Sequence, residues 1–273
     1  MRRLPAPAKI NLALIVGPPR TDGKHEVATV LQRVDLGDRV QLEPSPAGLA
    51  VGGFAGDTIV RRALELLAEG AGVEPSWRAT ITKRIPLASG LGGGSSDAAT
   101  ALGLANETLA EPLDDDRLHA LAAQLGADVP FFLRSGPQLA RGDGTQLAQL
   151  DLPQDYFVVL VLPHGAHKPS TAAVYADYDD RGGPDGFDER RAALLETLAD
   201  VRRPRDLAAL PPNDLASSPI AAELQELGAF RADVSGAGPA VYGLFHHRPQ
   251  AQSARRRLRP RGRTWITVPA WYG

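Results

Sequence analysis

The chain has 273 residues, with 43% hydrophobic positions, 28 glycines and 23 prolines; this excludes a short disulfide-stapled scaffold and, at about 150 residues per domain, leaves one large domain or two ordinary ones. There is no cysteine, so thiol nucleophiles, CxxC redox chemistry, cysteine-ligated zinc and iron–sulfur clusters are out, and any catalysis must use oxygen, nitrogen or backbone groups. With 30 basic and 32 acidic residues the formal charge is −2, and the field of the whole molecule carries no polyanion-binding signature.

The basic start Met1-Arg2-Arg3-Leu4-Pro5 lacks the apolar stretch of a signal peptide, so a cytoplasmic location is expected. From about Lys9, the alternation of Ile10, Leu12, Leu14 and Val16 with Asn11, Ala13 and Ile15 predicts a half-buried strand, with Lys9 and Asn11 together on its other face. A turn over 17–23 precedes strand-like segments at 27–34 and 39–43. Asp57 then reads as the N-cap of a helix to about 69, with Ile59, Val60, Ala63, Leu64 and Leu67 at helical spacing. A strand over 77–83 leads into a glycine-rich loop. Helices follow over 96–109 and 114–125, the second with three aspartates in its first turn, where they favour the helix dipole.

A polar, proline-containing stretch at 149–155 places a domain boundary near 150, dividing the chain into 1–150 and 151–273. The longest apolar run, 156–162, is far short of the roughly 18 residues that span a bilayer and reads as a buried strand. The segment 177–190, rich in acidic residues and glycine, reads as a mobile surface loop. Beyond it, helical segments (189–201, 219–227) and strands (240–245, 264–268) complete an α+β pattern.

The sharpest local feature is Pro86-Leu87-Ala88-Ser89-Gly90-Leu91-Gly92-Gly93-Gly94-Ser95-Ser96-Asp97, between a strand and a helix. Its glycines let the backbone take left-handed angles and approach a ligand closely. Successive amides can then form an anion nest, the following helix presents its positive end, and the two serines add hydroxyls; together these suit a polyphosphate. A flexible turn capped by Ser96 or Asp97 is the alternative. No Gly-Lys-Ser/Thr follows, the GxGxxG spacing fails at Ser95, and the HRD and DFG signatures of protein kinases are missing. Lys9 and Asp128 form a second pair of interest, although a strand lysine can be merely solvated and an aspartate before Val129-Pro130 can cap a short helix. His164 and His167, and the neighbours His246 and His247, have too few partners for a metal site, so no metal-ligating residue is assigned. Six arginines within 255–263 read as a solvated helix end before the last strand; nucleic-acid binding is the other option.

Pro7-Ala8-Lys9-Ile10-Asn11-Leu12, the stretch 86–97 and Ser235-Gly236-Ala237-Gly238 resemble, in order, the three motifs of the GHMP small-molecule kinases. Further strings at 20–25, 32–38, 125–130 and 213–215 look like the branch that phosphorylates a cytidine-diphosphate-linked sugar alcohol in the non-mevalonate route to isoprenoids. The resemblance implies a two-domain α+β fold, with an N-terminal domain like domain 2 of ribosomal protein S5 and a ferredoxin-like C-terminal domain. It implies ATP and Mg²⁺ as cofactors, small-molecule partners only, and no nucleic acid or membrane. By similarity Asp128 is the general base and Lys9 orients it; Pro86 to Ser96 hold ATP. Asn11, His25, Tyr175 and Gly236 contact the acceptor, His25 at the edge of the cytosine and Tyr175 on its face. Lys24 stands where the family usually has tyrosine, Asp57 where asparagine is common, and Pro239 where smaller side chains are usual. A kinase for homoserine or mevalonate and an RNA-binding module are the competing readings.

Overall fold

The computed structural model describes residues 2–56, 59–166 and 170–270. In chain order it contains β1 (Arg2–Pro19), β2 (His25–Pro44), β3 (Ala50–Gly52), α1 (Ile59–Ala71), β4 (Trp77–Thr82), α2 (Gly93–Asn106), α3 (Asp115–Leu125), α4 (Val129–Phe132), β5 (Gln138–Gly142) and β6 (Gln146–Gln149). There follow β7 (Phe157–Pro163), α5 (Thr171–Asp180), α6 (Phe187–Asp200), a 3-10 turn (Pro204–Ala209), α7 (Pro219–Glu226), β8 (Arg231–Val234), β9 (Val241–Phe245), α8 (Arg248–Leu258) and β10 (Gly262–Thr267).

Six strands form one sheet in the order β3-β4-β2-β5-β6, with β1 pairing β2; four form a second, antiparallel sheet in the order β10-β7-β9-β8. Strand β2 is long enough to pair β1 along almost its whole length and, at opposite ends of its free edge, both β4 and β5. One core lies between the sheets, where Ile10 and Leu12 of β1 meet Val158 and Leu160 of β7 and Tyr242 of β9. A second core lies under α1 and α2, from Leu64 and Leu102 to Leu42 and Ile81. Among the described residues no helix is long and apolar enough to cross a membrane.

Several elements differ from expectation for identifiable reasons. The strand expected from Lys9 begins at Arg2, and residues 6–17 are buried throughout, not on one side only. Burial on both faces is what a strand sandwiched within the molecule requires. The two strands expected at 27–34 and 39–43 are one, since Leu36 and Gly37 continue the extended chain. Helix α2 starts three residues earlier than periodicity suggested, at Gly93, because Gly92 takes the left-handed cap conformation at φ 70°. Ser95 and Ser96 therefore sit in a helical turn, and Asp97 is not its cap. The expected cap Asp57 lies outside the described residues, as does His167.

Asp114 does cap α3, accepting from Arg117 N at 2.9 Å. The acidic segment 177–190, expected as a mobile loop, is mostly helical: it holds the end of α5 and the start of α6. Tyr178 and Phe187 are buried there, and Arg190 Nη2 donates to Tyr178 Oη at 2.9 Å and to Val16 O at 3.0 Å. These anchors outweigh the local polarity. The arginine cluster falls at the end of α8 and the start of β10, with Arg261 paired to Glu223 and Arg263 over the Trp265 ring.

Candidate active site

A cleft of about 880 Å³ opens where β1, the glycine-rich loop, α4, α5 and the β8–β9 loop converge. It is lined by Lys9, Asn11, His25, every residue from 86 to 95, Asp128, Tyr175 and Gly236. Of the residues singled out by sequence, Ser96 is fully buried just behind the lining. Three segments separated by more than two hundred residues thus line one cleft.

They meet through backbone. Lys9 N donates to Leu91 O, and Ala240 N to Ser89 O, each at 2.9 Å. Ser235 Oγ donates to Gly90 O at 3.1 Å. Gly90, at φ 85°, admits no side chain: a Cβ there would lie 2.3 Å from Ser235 O. The loop glycines are therefore needed for two purposes, a left-handed turn and contact of loop with loop. At its far end the loop feeds α2, whose first-turn amides and positive end face the cleft, an arrangement suited to anions.

Lys9 and Asp128 do come together. Lys9 Nζ lies 3.6 Å from Asp128 Oδ2 and donates to Asn11 Oδ1 at 2.6 Å; Asn11 Nδ2 in turn donates to Thr29 Oγ1 at 2.8 Å. Lys9 and Asn11 are each 4% exposed, so an ammonium is held in a nearly dry site by one carboxylate and one amide oxygen. Asp128 stands at the N-cap position of α4, yet its side chain makes no capping bond, which leaves the carboxylate turned to the cleft beside Lys9. Gly236, at φ 57°, completes the wall: a Cβ on it would reach within 3.2 Å of Lys9 Nζ.

A second charged cluster underlies the loop. Lys83 Nζ donates to Asp38 Oδ2 and, at 2.7 Å, to Asp97 Oδ2; Asp38 Oδ1 also accepts from Arg84 N and, at 2.8 Å, from Ile85 N. Two buried carboxylates share one ammonium. Desolvation lowers the Lys83 ammonium, but the hydrogen bonds to Asp38 and Asp97 outweigh it and leave the group raised. Desolvation pushes the Asp97 carboxyl up to about 7, Lys83 pulling it down and Asp38 pushing it further up. The two carboxylates are not equivalent: Asp97 Oδ1 has no hydrogen-bond partner among the described residues, whereas Asp38 is bonded at both oxygens.

At the opposite end of the cleft His25 Nε2 lies 2.9 and 3.0 Å from the two oxygens of Asp179. Its ring sits 4.6 Å from that of Tyr175, tilted by 39°. Burial, with Asp128 nearby, pushes the Tyr175 phenol up to about 12, so it stays neutral and presents an uncharged ring. Lys24 pairs with Asp143 Oδ2 at 2.5 Å. Burial alone would raise the Asp143 carboxyl, but bonds from Lys24 and Thr145 outweigh it and hold it at about 2.

Asp38, Asp143 and Asp179 carry no motif of their own in the sequence, although Asp38 falls in the string 32–38 that resembles the family. Asn213, from the string 213–215, proves to be a joint: its Nδ2 donates to Val234 O and Gly236 O, and it bridges to Leu14.

Comparison with known proteins gives the family. Residues 58–136 match the GHMP kinases N terminal domain, and residues 194–263 the GHMP kinases C terminal domain. A 4-diphosphocytidyl-2-C-methyl-D-erythritol kinase of Anaeromyxobacter sp. (strain Fw109-5) is 38% identical over 93% of this chain and 85% of its own length. One from Pelotomaculum thermopropionicum (strain DSM 13744 / JCM 10971 / SI) is 39% identical over 93% and 92%. A crystal structure of 4-(cytidine 5'-diphospho)-2C-methyl-D-erythritol kinase superimposes with a TM-score of 0.80 at 36% identity, covering 98% of this chain and 100% of that one. A mevalonate kinase superimposes at 0.76 with 13% identity, a likeness of fold alone. With its two sheets, its α+β layering and relatives this similar along nearly the whole length, the chain belongs to the 4-diphosphocytidyl-2-C-methyl-D-erythritol kinase family of the GHMP kinases.

Proposed function

We propose that this chain transfers the γ-phosphoryl group of ATP to the 2-hydroxyl of 4-diphosphocytidyl-2-C-methyl-D-erythritol, giving the 2-phosphate and ADP on the non-mevalonate path to isopentenyl diphosphate. The observation that carries it is the placement of Lys9 and Asp128, 3.6 Å apart, in a cleft with a glycine loop at one end and the His25–Tyr175 pair at the other.

An alcohol is a poor nucleophile at neutral pH, so a carboxylate that accepts its proton as the O–P bond forms is useful. Asp128 takes that proton, and the bond from the γ-phosphorus to the bridging oxygen of ADP breaks. Lys9, held by Asn11, keeps the carboxylate oriented and offsets charge developing on the acceptor oxygen. The segment from Pro86 to Ser96 holds the nucleotide phosphates by backbone amides and the α2 dipole. Burial of Lys9 and Asn11 strengthens the interactions the ammonium makes.

Mg²⁺ fits the residues present. Ser96 Oγ and Asp97 Oδ1 are buried without hydrogen-bond partners among the described residues, and Ser95 lines the cleft beside them. No three His, Cys, Asp or Glu side chains converge among the described residues, so the ion would be carried mainly by phosphate oxygens and water, as is usual for magnesium. Bound there with Ser95, Ser96 or Asp97 as protein oxygens, it would neutralise phosphate charge.

Tyr175 offers a neutral face for cytosine. His25, with Nε2 committed to Asp179, has Nδ1 and its backbone for the base edge. Residues 1–150 form the ATP-binding half and 151–273 the second half, α5 of the latter closing the nucleoside end. A reaction that consumes ATP suits the cytoplasm. The deciding experiment is ADP release with the cytidyl substrate, mevalonate, homoserine and no acceptor. Acceleration by the cytidyl compound alone is expected; acceleration by either other alcohol and not by it overturns the proposal.

A further inference from the structure

Asp128 sits on a helix of a single turn, which has little of its own to hold it in place. Beneath that turn lies Arg33, 3% exposed, whose position in β2 is directly opposite Lys9 in β1. Residues directly opposite on antiparallel strands point to the same face of the sheet. The two cations reach the two ends of α4. Lys9 Nζ meets the Asp128 carboxylate at the start, and Arg33 Nη2 donates to Phe131 O at 3.1 Å and Phe132 O at 2.9 Å at the finish.

The carbonyls at the end of a helix lack intrahelical partners, and a cation is favoured there. Arg33 supplies both bonds from one nitrogen while its guanidinium lies 5.5 Å over the Phe131 ring. Its own backbone is gripped from two sides: Arg33 O accepts from Gln32 Nε2 at 2.9 Å and from Ala270 N at 3.1 Å. The adjoining Phe132 ring is packed against the glycine loop, since a Cβ at Gly92 would meet it and Lys9 Cγ, each at 3.0 Å.

We propose that Arg33 is a positioning residue for the phosphoryl-transfer reaction, acting through α4 to hold the Asp128 carboxylate at working distance from Lys9. One strand register thus sets both ends of the element carrying the base. This rests on the reading of Asp128 as the base given above. Arg33 lines no part of the cleft, so its loss should act on turnover and leave binding alone.

The test is a double-mutant cycle of Arg33→Met and Asp128→Asn, with kcat expressed per nucleotide-binding site, alongside Arg33→Lys. Misplacement of a reacting group by about 1 Å can cost about 100-fold, so Arg33→Met should lower kcat about 10- to 100-fold with KM for ATP and acceptor changed less than about 2-fold. Arg33→Lys, which keeps a donor and the charge, should recover part of that loss, and serves alone if the methionine variant does not fold. In the Asp128→Asn background the Arg33 substitution should have almost no further effect, since interacting residues are non-additive. Losses that multiply, or unchanged kcat in both Arg33 variants, overturn the role of Arg33 and leave the base standing. Near-normal turnover of Asp128→Asn removes the base, and the inference with it.

Discussion

Lys9 and Asn11, two residues apart on one strand, are joined by a 2.6 Å bond from ammonium to amide oxygen, and both are almost completely buried. A buried ammonium is tolerated only when its donors are used. Asn11 accepts one of them and Asp128 balances the charge from 3.6 Å, so the lysine most important to the proposed chemistry is held in place before substrate arrives. Replacing Asp128 by Asn keeps the shape and removes the base. We expect kcat to fall about 10²- to 10⁴-fold, with the dissociation constant for ATP unchanged in a direct titration. Near-normal turnover would remove Asp128 from its role.

The glycine loop allows two substitutions with opposite outcomes. Gly90→Ala puts a Cβ 2.3 Å from Ser235 O on a residue with φ 85°, and should cost at least about 2 kcal/mol from strain and clash. Gly94→Ala meets only Ile59, at 3.7 Å, and has ordinary helical backbone, so it should hold or raise the melting temperature. Thermal melts of the two variants side by side decide the matter; equal losses would show that the loop–loop contact is not what Gly90 serves.

At the nucleoside end, Tyr175→Ala should weaken the acceptor and not ATP. Stacking on a base is worth about 1 to 3 kcal/mol in nucleic-acid complexes, so KM for the cytidyl substrate should rise by about one to two orders of magnitude with KM for ATP nearly fixed. A parallel rise in both would place Tyr175 outside the nucleoside subsite.

The Asp38–Lys83–Asp97 cluster makes stability depend on pH in a direction unusual for an aspartate. With its folded value raised to about 7, Asp97 binds a proton in the native state that the unfolded chain, with an ordinary carboxyl, has already released. The native state therefore holds the extra proton between the ordinary aspartate range and about 7, and stability falls as pH rises through that window. Asp97→Asn removes the titration and should flatten the dependence of melting temperature on pH from about 4 to about 7. A wild-type profile that rises with pH there, unaltered in the variant, would refute it.

Much of the site was legible in the sequence, for a physical reason. The glycine loop, Lys9, Asn11 and Gly236 act through backbone shape or a single side-chain type, and such constraints leave local strings. The long α+β chain, the helix at α1 and the buried strand at β7 are likewise readable from periodicity, and α3 from its Asp114 cap as well. The start of α2 was misplaced because a glycine cap has no side chain to announce it. Segment 177–190 differs because Tyr178 and Arg190 hold it through contacts with Val16 and Asp214, and Phe187 packs against Gly17, all distant in sequence. Asp38, Asp143 and Asp179 escaped for the same reason: each matters through a partner far along the chain, which spacing cannot show. Lys24, an oddity as a sequence departure, has a partner in Asp143.

The core shared by the two sheets constrains how products leave. Ile10 and Leu12 on one side and Leu160 and Tyr242 on the other are fully buried against each other's layer, so the halves cannot swing apart without exposing hydrocarbon to solvent. Traffic through the cleft is instead expected at its rim, where Leu87 of the glycine-rich loop and Thr171, Ala172 and Ala176 of α5 are exposed. In hydrogen exchange, β1 and β7 should be the last amides to give up their protons, and the exposed first turn of α5, ahead of the Tyr178 anchor, among the first.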